Sequence, residues 1–240
     1  MNWQNVATIA RKDLMIMMAR RGIWIGLTVL PVGLAILFSQ IIAHGNFPAS
    51  ALPQTLNAFL FFFIIYTGAL PANIAAYSMV GEKVERSLEP LLATPASDGE
   101  ILLGKSLAAL LPPLGSMWAG MILLMGLCDA FTHGTLGYLY FPNSLAIVTV
   151  FCVAPLLALC AVAMSVLFST RVTEVRTAQQ LGALAAIPGI VLYVGMLSGA
   201  FTLDLASLAV ICGALVLLAV GLGFGALAVF RREDILTRWA

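Results

Sequence analysis

Six apolar runs, each long enough to cross a bilayer, leave this chain almost no length from which to build anything else. They cover approximately 22–43, 56–80, 106–127, 143–168, 180–200 and 205–230. Crossing about 30 Å of hydrocarbon at about 1.5 Å per helical residue takes about 20 apolar residues. Hydrocarbon offers the backbone no hydrogen-bond partner, so such runs cross as helices. The expected fold is therefore an all-α membrane protein with six transmembrane helices, a single domain over 1–240. Only 10% of the residues are charged, against about 25% in soluble proteins. No connection between the runs is long enough to fold as a soluble domain.

The connections alternate between basic and base-free. Arg11, Lys12, Arg20 and Arg21 precede the first run, and Lys83, Arg86 and Lys105 lie between the second and third. Arg171 and Arg176 lie between the fourth and fifth, and Arg231, Arg232 and Arg238 follow the sixth. The other three connections, near 44–55, 128–142 and 201–204, contain neither Lys nor Arg. Basic residues in short loops stay on the cytoplasmic side. Both termini are therefore expected in the cytoplasm, with the protein multi-pass in the plasma (cytoplasmic) membrane. Of the eleven carboxylates, only Asp129 and Asp204 fall on the far side. The net charge of +1 gives no basic patch for nucleic acid. The first run exceeds the roughly 7–15 residues of a signal-peptide core, so it is expected to remain as a span.

Residues 1–21 read as an interfacial amphipathic helix. Trp3, Val6, Ala10, Leu14 and Met17 share one face, with Gln4, Thr8, Arg11 and Lys12 opposite. Such a helix rests at the membrane surface, apolar side toward acyl chains and bases toward headgroups.

The loop 81–105 holds five acids and three bases in an otherwise apolar chain. Val84, Leu88, Leu91 and Leu92 form an apolar stripe at helical spacing, and Glu82 and Arg86 are placed to pair. Pro90 interrupts that helix. Ser97 followed by Glu100 reads as a capping box that opens the next helix. The local expectation is a short amphipathic helix on the inner surface, a break, and a capped return into the bilayer.

The run Gly81-Glu82-Lys83, Arg86-Ser87-Leu88-Glu89, Leu91-Leu92-Ala93-Thr94-Pro95, Glu100-Ile101-Leu102 and Gly104-Lys105 resembles the signature loop of the ABC-2 family of ABC transporter permeases. Ser87 stands where that family usually has Thr, and Pro90 sits inside its Leu-Glu-x-Leu-Leu run. The resemblance implies a permease half that dimerises, as a homodimer or with a second permease, and docks on a separate cytoplasmic ABC ATPase. It makes the loop a coupling helix, with Glu82, Glu85, Arg86, Leu88, Glu89, Leu91, Leu92 and Thr94 as the ATPase-coupling residues. It implies no catalysis and no cofactor on this chain, ATP and Mg belonging to the partner. Leu88, Leu91 and Leu92 would anchor in a groove while the charges set register.

Gly99-Glu100-Ile101-Leu102-Leu103-Gly104-Lys105-Ser106 also satisfies GxxxxGK[ST], the phosphate-binding P-loop pattern. That loop needs a preceding buried strand, which Thr94 to Asp98 do not supply, so the capping box is the preferred reading. The six runs contain no internal Asp, Glu, Lys, Arg or His, which disfavours an ion-coupled carrier or channel, the alternative class. In the second run Tyr66, Asn73 and Tyr77 share a face beside Phe59, Phe62 and Leu70. In the resembled family the second and fifth spans line the dimer cavity, which adds Gln179, Gln180 and Tyr193 to the substrate path. An aromatic, uncharged wall suits a hydrophobic or amphipathic cargo. Gly22/Gly26, Gly195/Gly199 and Gly221/Gly225 have the GxxxG spacing of close helix packing. Cys128, Cys152, Cys160 and Cys212 show no metal or disulfide spacing. His44, Asp129 and His133 have metal-ligand chemistry on the outer side, but read as solvated surface and no metal is expected.

Overall fold

A computed structural model describes residues 2–19, 21–81, 96–169, 172, 174–198 and 204–229, except for the side chains at 175, 179, 182, 183, 185, 228 and 229. Among these residues the chain is helical, without strands. Helix α1 is Trp3–Met18, α2 Arg21–His44 and α3 Leu52–Ala76, the last continued by a π-helical turn at Tyr77–Gly81. Helix α4 is Asp98–Leu136. The next helical rod comprises α5, Ser144–Val148, a π turn at Thr149–Val153, and α6, Ala154–Ser169. Helices α7, Val175–Ala183, and α8, Ile187–Leu197, are joined by a 3₁₀ turn at Leu184–Ala186, and α9 is Leu205–Val229. Among the described residues, five helices are long and apolar enough to cross a membrane: Arg21–His44, Leu52–Gly81, Asp98–Leu136, Ser144–Ser169 and Leu205–Leu227.

The fifth sequence-expected span, 180–200, is a segmented rod whose apolar part, α8, has 11 residues. Pro188 is the physical reason for the break. Its ring excludes the carbonyl of Leu184 from an α-helical bond, and the chain tightens there into the 3₁₀ turn.

Helix α4 begins earlier and ends later than the 106–127 expected for the third span. Its 39 residues extend about 58 Å at about 1.5 Å each, so its ends project beyond the hydrocarbon. The start is set by the capping box. The Ser97 hydroxyl accepts the Glu100 backbone N–H at 3.3 Å, and the Glu100 carboxylate accepts the Ser97 backbone N–H at 3.1 Å. The end is set by Gly137, whose φ of 76° is a left-handed conformation that glycine adopts without strain.

Helix α3 lies at the centre, packed against α4, α6, α7 and α8, while α2 and α1 both pack on α4. A buried cluster of Phe38, Leu56, Phe63, Met117, Met121 and Leu124 ties α2, α3 and α4 together. Phe38 stacks on Phe59 at 4.5 Å and meets Phe62 edge-on at 5.2 Å. At Gly120 a Cβ would lie 2.6 Å from Pro31 Cβ and 3.0 Å from the Phe63 ring, so glycine permits the α2–α4 approach. Gly22 and Gly26 play no such part. A Cβ on either would meet nothing within 4 Å, and their GxxxG spacing packs no helix among the described residues.

Two of the prolines inside these helices, Pro31 and Pro155, leave carbonyls without their usual donors, and side chains from α4 replace them. Pro31 frees the Leu27 carbonyl, which accepts a hydrogen bond from the Ser116 hydroxyl on α4. Pro155 follows the π turn, where its missing N–H would have reached the Val150 carbonyl. The Trp118 indole N–H donates to that oxygen at 3.0 Å.

Ser116→Ala should therefore remove the replacement donor and cost about 0.6–1.7 kcal/mol, the range for polar contacts between membrane helices. Ser198→Ala, which removes an exposed bond to the Gly195 carbonyl in its own turn, should stay within about 0.5 kcal/mol. Denaturant unfolding in detergent reads both, and equal effects would mean that the Leu27 carbonyl does not depend on Ser116.

Candidate functional site

The eight residues expected to contact an ATPase, Glu82, Glu85, Arg86, Leu88, Glu89, Leu91, Leu92 and Thr94, lie outside the described residues. The two stems of their loop are described, and both are tied to α1. On α1 the buried stripe is Val6, Ile9, Ala10, Asp13 and Met17. The apolar face was expected to look toward acyl chains; instead Val6, Ala10 and Met17 pack inward with Ile9 and Asp13, Leu14 is half-buried and Trp3 remains exposed. The stripe packs on the start of α4. At Gly104 a Cβ would lie 2.8 Å from Ile9 Cγ2 and 3.0 Å from the Val6 carbonyl oxygen, so α1 rests directly on that backbone.

A buried acid sits in the middle of this stripe. Asp13 is 3% exposed and Lys105, from the second turn of α4, is 1% exposed. Lys105 Nζ lies 3.1 Å from Asp13 Oδ2. Ser78, in the π turn that ends α3, donates its hydroxyl to the same Oδ2 at 2.9 Å. Lys105 Nζ also lies 3.5 Å from the Ser78 carbonyl oxygen. Asp13 Oδ1 is buried with no hydrogen-bond partner among the described residues. Three elements thus meet at one ion pair next to the loop's first stem.

The second stem is held by Glu100. Besides closing the capping box, its carboxylate accepts the Asn5 side-chain amide at 3.0 Å and the backbone N–H of Asn2. Glu100 lies in the first turn of α4, outside the apolar run that begins at Ser106. The Asn5 amide and the backbone N–H groups of Asn2 and Ser97 hold its carboxyl down to about 2, because each favours the charged form. The GxxxxGK[ST] stretch is helical throughout. Its lysine is the one paired with Asp13, so its geometry is not that of a phosphate-cradling loop.

The expected substrate-path residues do not gather in one place. Tyr66 is buried on α3 and donates its hydroxyl to the Gly26 carbonyl at 3.1 Å. Asn73 and Tyr77 line a cavity of about 330 Å³ between α2 and α3. Met17, Ile23, Leu70 and Ile74 form its apolar wall, and Gly22 and Gly26 its bare side. Tyr193 does not reach this cavity; its ring meets Phe62 edge-on at 5.3 Å. Gln180 is exposed, and the Gln179 side chain lies outside the described residues.

At the opposite ends of the helices, Asp129 accepts the backbone N–H groups of Tyr140 and Phe141, both at 3.1 Å. It thereby anchors the turn before α5. His44 Nε2 lies 3.1 Å from Gln40 Oε1, and His44 and His133 are both exposed. Among the described residues no three His, Cys, Asp or Glu side chains gather as metal ligands.

In comparisons with known proteins, the chain matches no family model and no curated protein.

Sequence reasoning missed the Asp13–Ser78–Lys105 cluster. A signal for the burial of the acid, though not for its partners, was present: Asp13 recurs with Val6, Ile9, Ala10 and Met17 at spacings of three and four, an acid inside an apolar stripe. Removing one partner of a buried pair leaves an isolated charge, at a cost of about 3–5 kcal/mol. Lys105→Met should therefore destabilise the protein by about that amount, and Lys105→Met with Asp13→Leu should recover most of it. Thermal unfolding in detergent measures both, and simple addition of the two losses would show that the side chains do not interact.

Proposed function

We propose that this chain is the membrane subunit of an ABC-2-type exporter, driven by a separate cytoplasmic ATPase and performing no chemistry itself. The observation that carries the reading is the bracing of the loop 82–95. It joins two membrane-length helices, and each of its stems is fixed to α1. Asp13 holds Ser78 and Lys105, while Asn2 and Asn5 hold Glu100. Stems fixed in this way would carry a displacement applied at the loop into the helices. The Gly81 to Lys105 residue pattern supplies the family resemblance.

In this reading six spans cross the plasma membrane with both termini in the cytoplasm, and α1 lies at the inner interface. Exposed Trp3, Met15, Ile16 and Met18 support the interfacial placement, as apolar side chains that meet acyl chains there. Two copies, or this chain with a second permease, enclose the path. Tyr66, Asn73, Tyr77, Gln179, Gln180 and Tyr193 border it, and a hydrophobic or amphipathic cargo crosses.

A second reading, an ATP-independent carrier or channel, draws support from the same ion pair. Buried ionisable groups in membrane proteins are frequently coupling sites, and Asp13 with Lys105 is such a pair at the membrane boundary. The two readings part on a pull-down from native membranes. Wild type should co-purify with an ABC ATPase, and Glu82→Ala/Leu88→Ala/Leu92→Ala should lose it. Absence of an ATPase from the wild-type preparation, together with transport that persists without ATP, would replace the exporter reading by the carrier.

A further inference from the structure

We propose that the cavity at the α1–α2 elbow binds one anionic phospholipid, with an acyl chain against Gly22 and Gly26 and the phosphate paired with Arg21. Its volume of about 330 Å³ lies within the range of small-molecule sites, about 300–1,000 Å³. Met17, Ile23, Leu70 and Ile74 make the wall apolar, suited to a hydrocarbon chain. Asn73, whose amide nitrogen donates to the Ala69 carbonyl at 2.9 Å, and Tyr77 add polar side chains to the wall. The absence of side chains at residues 22 and 26 is what leaves the space, since a Cβ on either glycine would meet no atom within 4 Å.

Depth and charge identify the occupant. The cavity lies beside the first turns of α2, where the membrane-length helix begins at Arg21. Trp24, exposed there, donates its indole N–H to the Met18 carbonyl at 2.8 Å, and Trp collects at the membrane–water boundary. Arg21 directly precedes cavity-lining Gly22 and is exposed, as is Arg11. The acid nearest in sequence, Asp13, is engaged with Lys105. An exposed base one residue from the lining of an apolar cavity at interface depth is the chemistry that recognises an anionic headgroup. A second copy fits less well. A two-fold contact centred on Gly22 and Gly26 would bring the two Arg21 side chains together, a like-charge contact that disfavours association.

This inference does not rest on the exporter reading, and its test needs no ATPase. Purified protein in detergent is titrated with phosphatidylglycerol or phosphatidylcholine and examined by native mass spectrometry. Wild type should hold one phosphatidylglycerol per chain and prefer it to phosphatidylcholine. Gly26→Leu fills the cavity and should abolish that retention. Gly33→Leu lies on the same helix, outside the cavity and also in open space, and should retain the lipid; equal melting temperatures exclude misfolding. Arg21→Gln should weaken binding roughly fivefold, the share of one basic residue near an anionic surface. The proposal is overturned if Gly26→Leu keeps the lipid, or if both lipids are held equally. Dissociation of a dimer by Gly26→Leu without lipid loss would overturn it in favour of a second copy.

Discussion

A membrane-crossing chain cannot leave a backbone carbonyl for water to satisfy, and this constraint governs where its helices touch. Pro31 and Pro155 each remove a donor inside a long apolar rod. In a soluble helix, water reaches the freed oxygens. Here the Ser116 hydroxyl takes the Leu27 carbonyl and the Trp118 indole takes Val150. Both donors project from α4, so α2 and the α5–α6 rod are registered against the same helix. Ser165 also crosses between helices, donating to the Ala72 carbonyl at 2.7 Å and joining α6 to α3, whereas Thr28, Thr67 and Thr132 bond the carbonyl four residues back in their own helices.

The apolar runs and the Ser97–Glu100 box were legible in the sequence because each depends on local periodicity. Five of the expected spans correspond to membrane-length helices, with α4 starting ahead of its expected limit because its cap, Ser97, lies nine residues before the apolar run. The fifth span was legible only in part. Hydropathy averages over Pro188, but the backbone cannot, and the rod breaks at Leu184–Ala186.

The ion pair was not legible, for a different reason. Lys105 reads as a topogenic base and Asp13 as part of a charged flank, and a separation of 92 residues offers no local pattern to join them. Part of the apolar face of α1 turns onto α4 instead of toward acyl chains, for two reasons. The backbone at Gly104 accepts Ile9 closely, and the carboxylate of Asp13 must follow Lys105 inward. Tyr66, Asn73 and Tyr77 were legible as one face of α3. What spacing could not reveal was that α2 presents glycines opposite them, turning part of that face into a cavity.

The ion pair does more for position than for stability. Desolvating two charges roughly cancels their attraction, and apolar replacements of similar volume are often as stable. A misplaced α1, however, leaves both Asp13 and Lys105 buried alone or drags them to the surface, so a single docked register is strongly preferred. That register fixes more than the helix itself. It places Met17 in the wall of the cavity, whose lining resumes at Gly22 one residue after Arg21, and it keeps Ser78 against α1. The same pair therefore lies between the stems of the proposed coupling loop and the proposed lipid site.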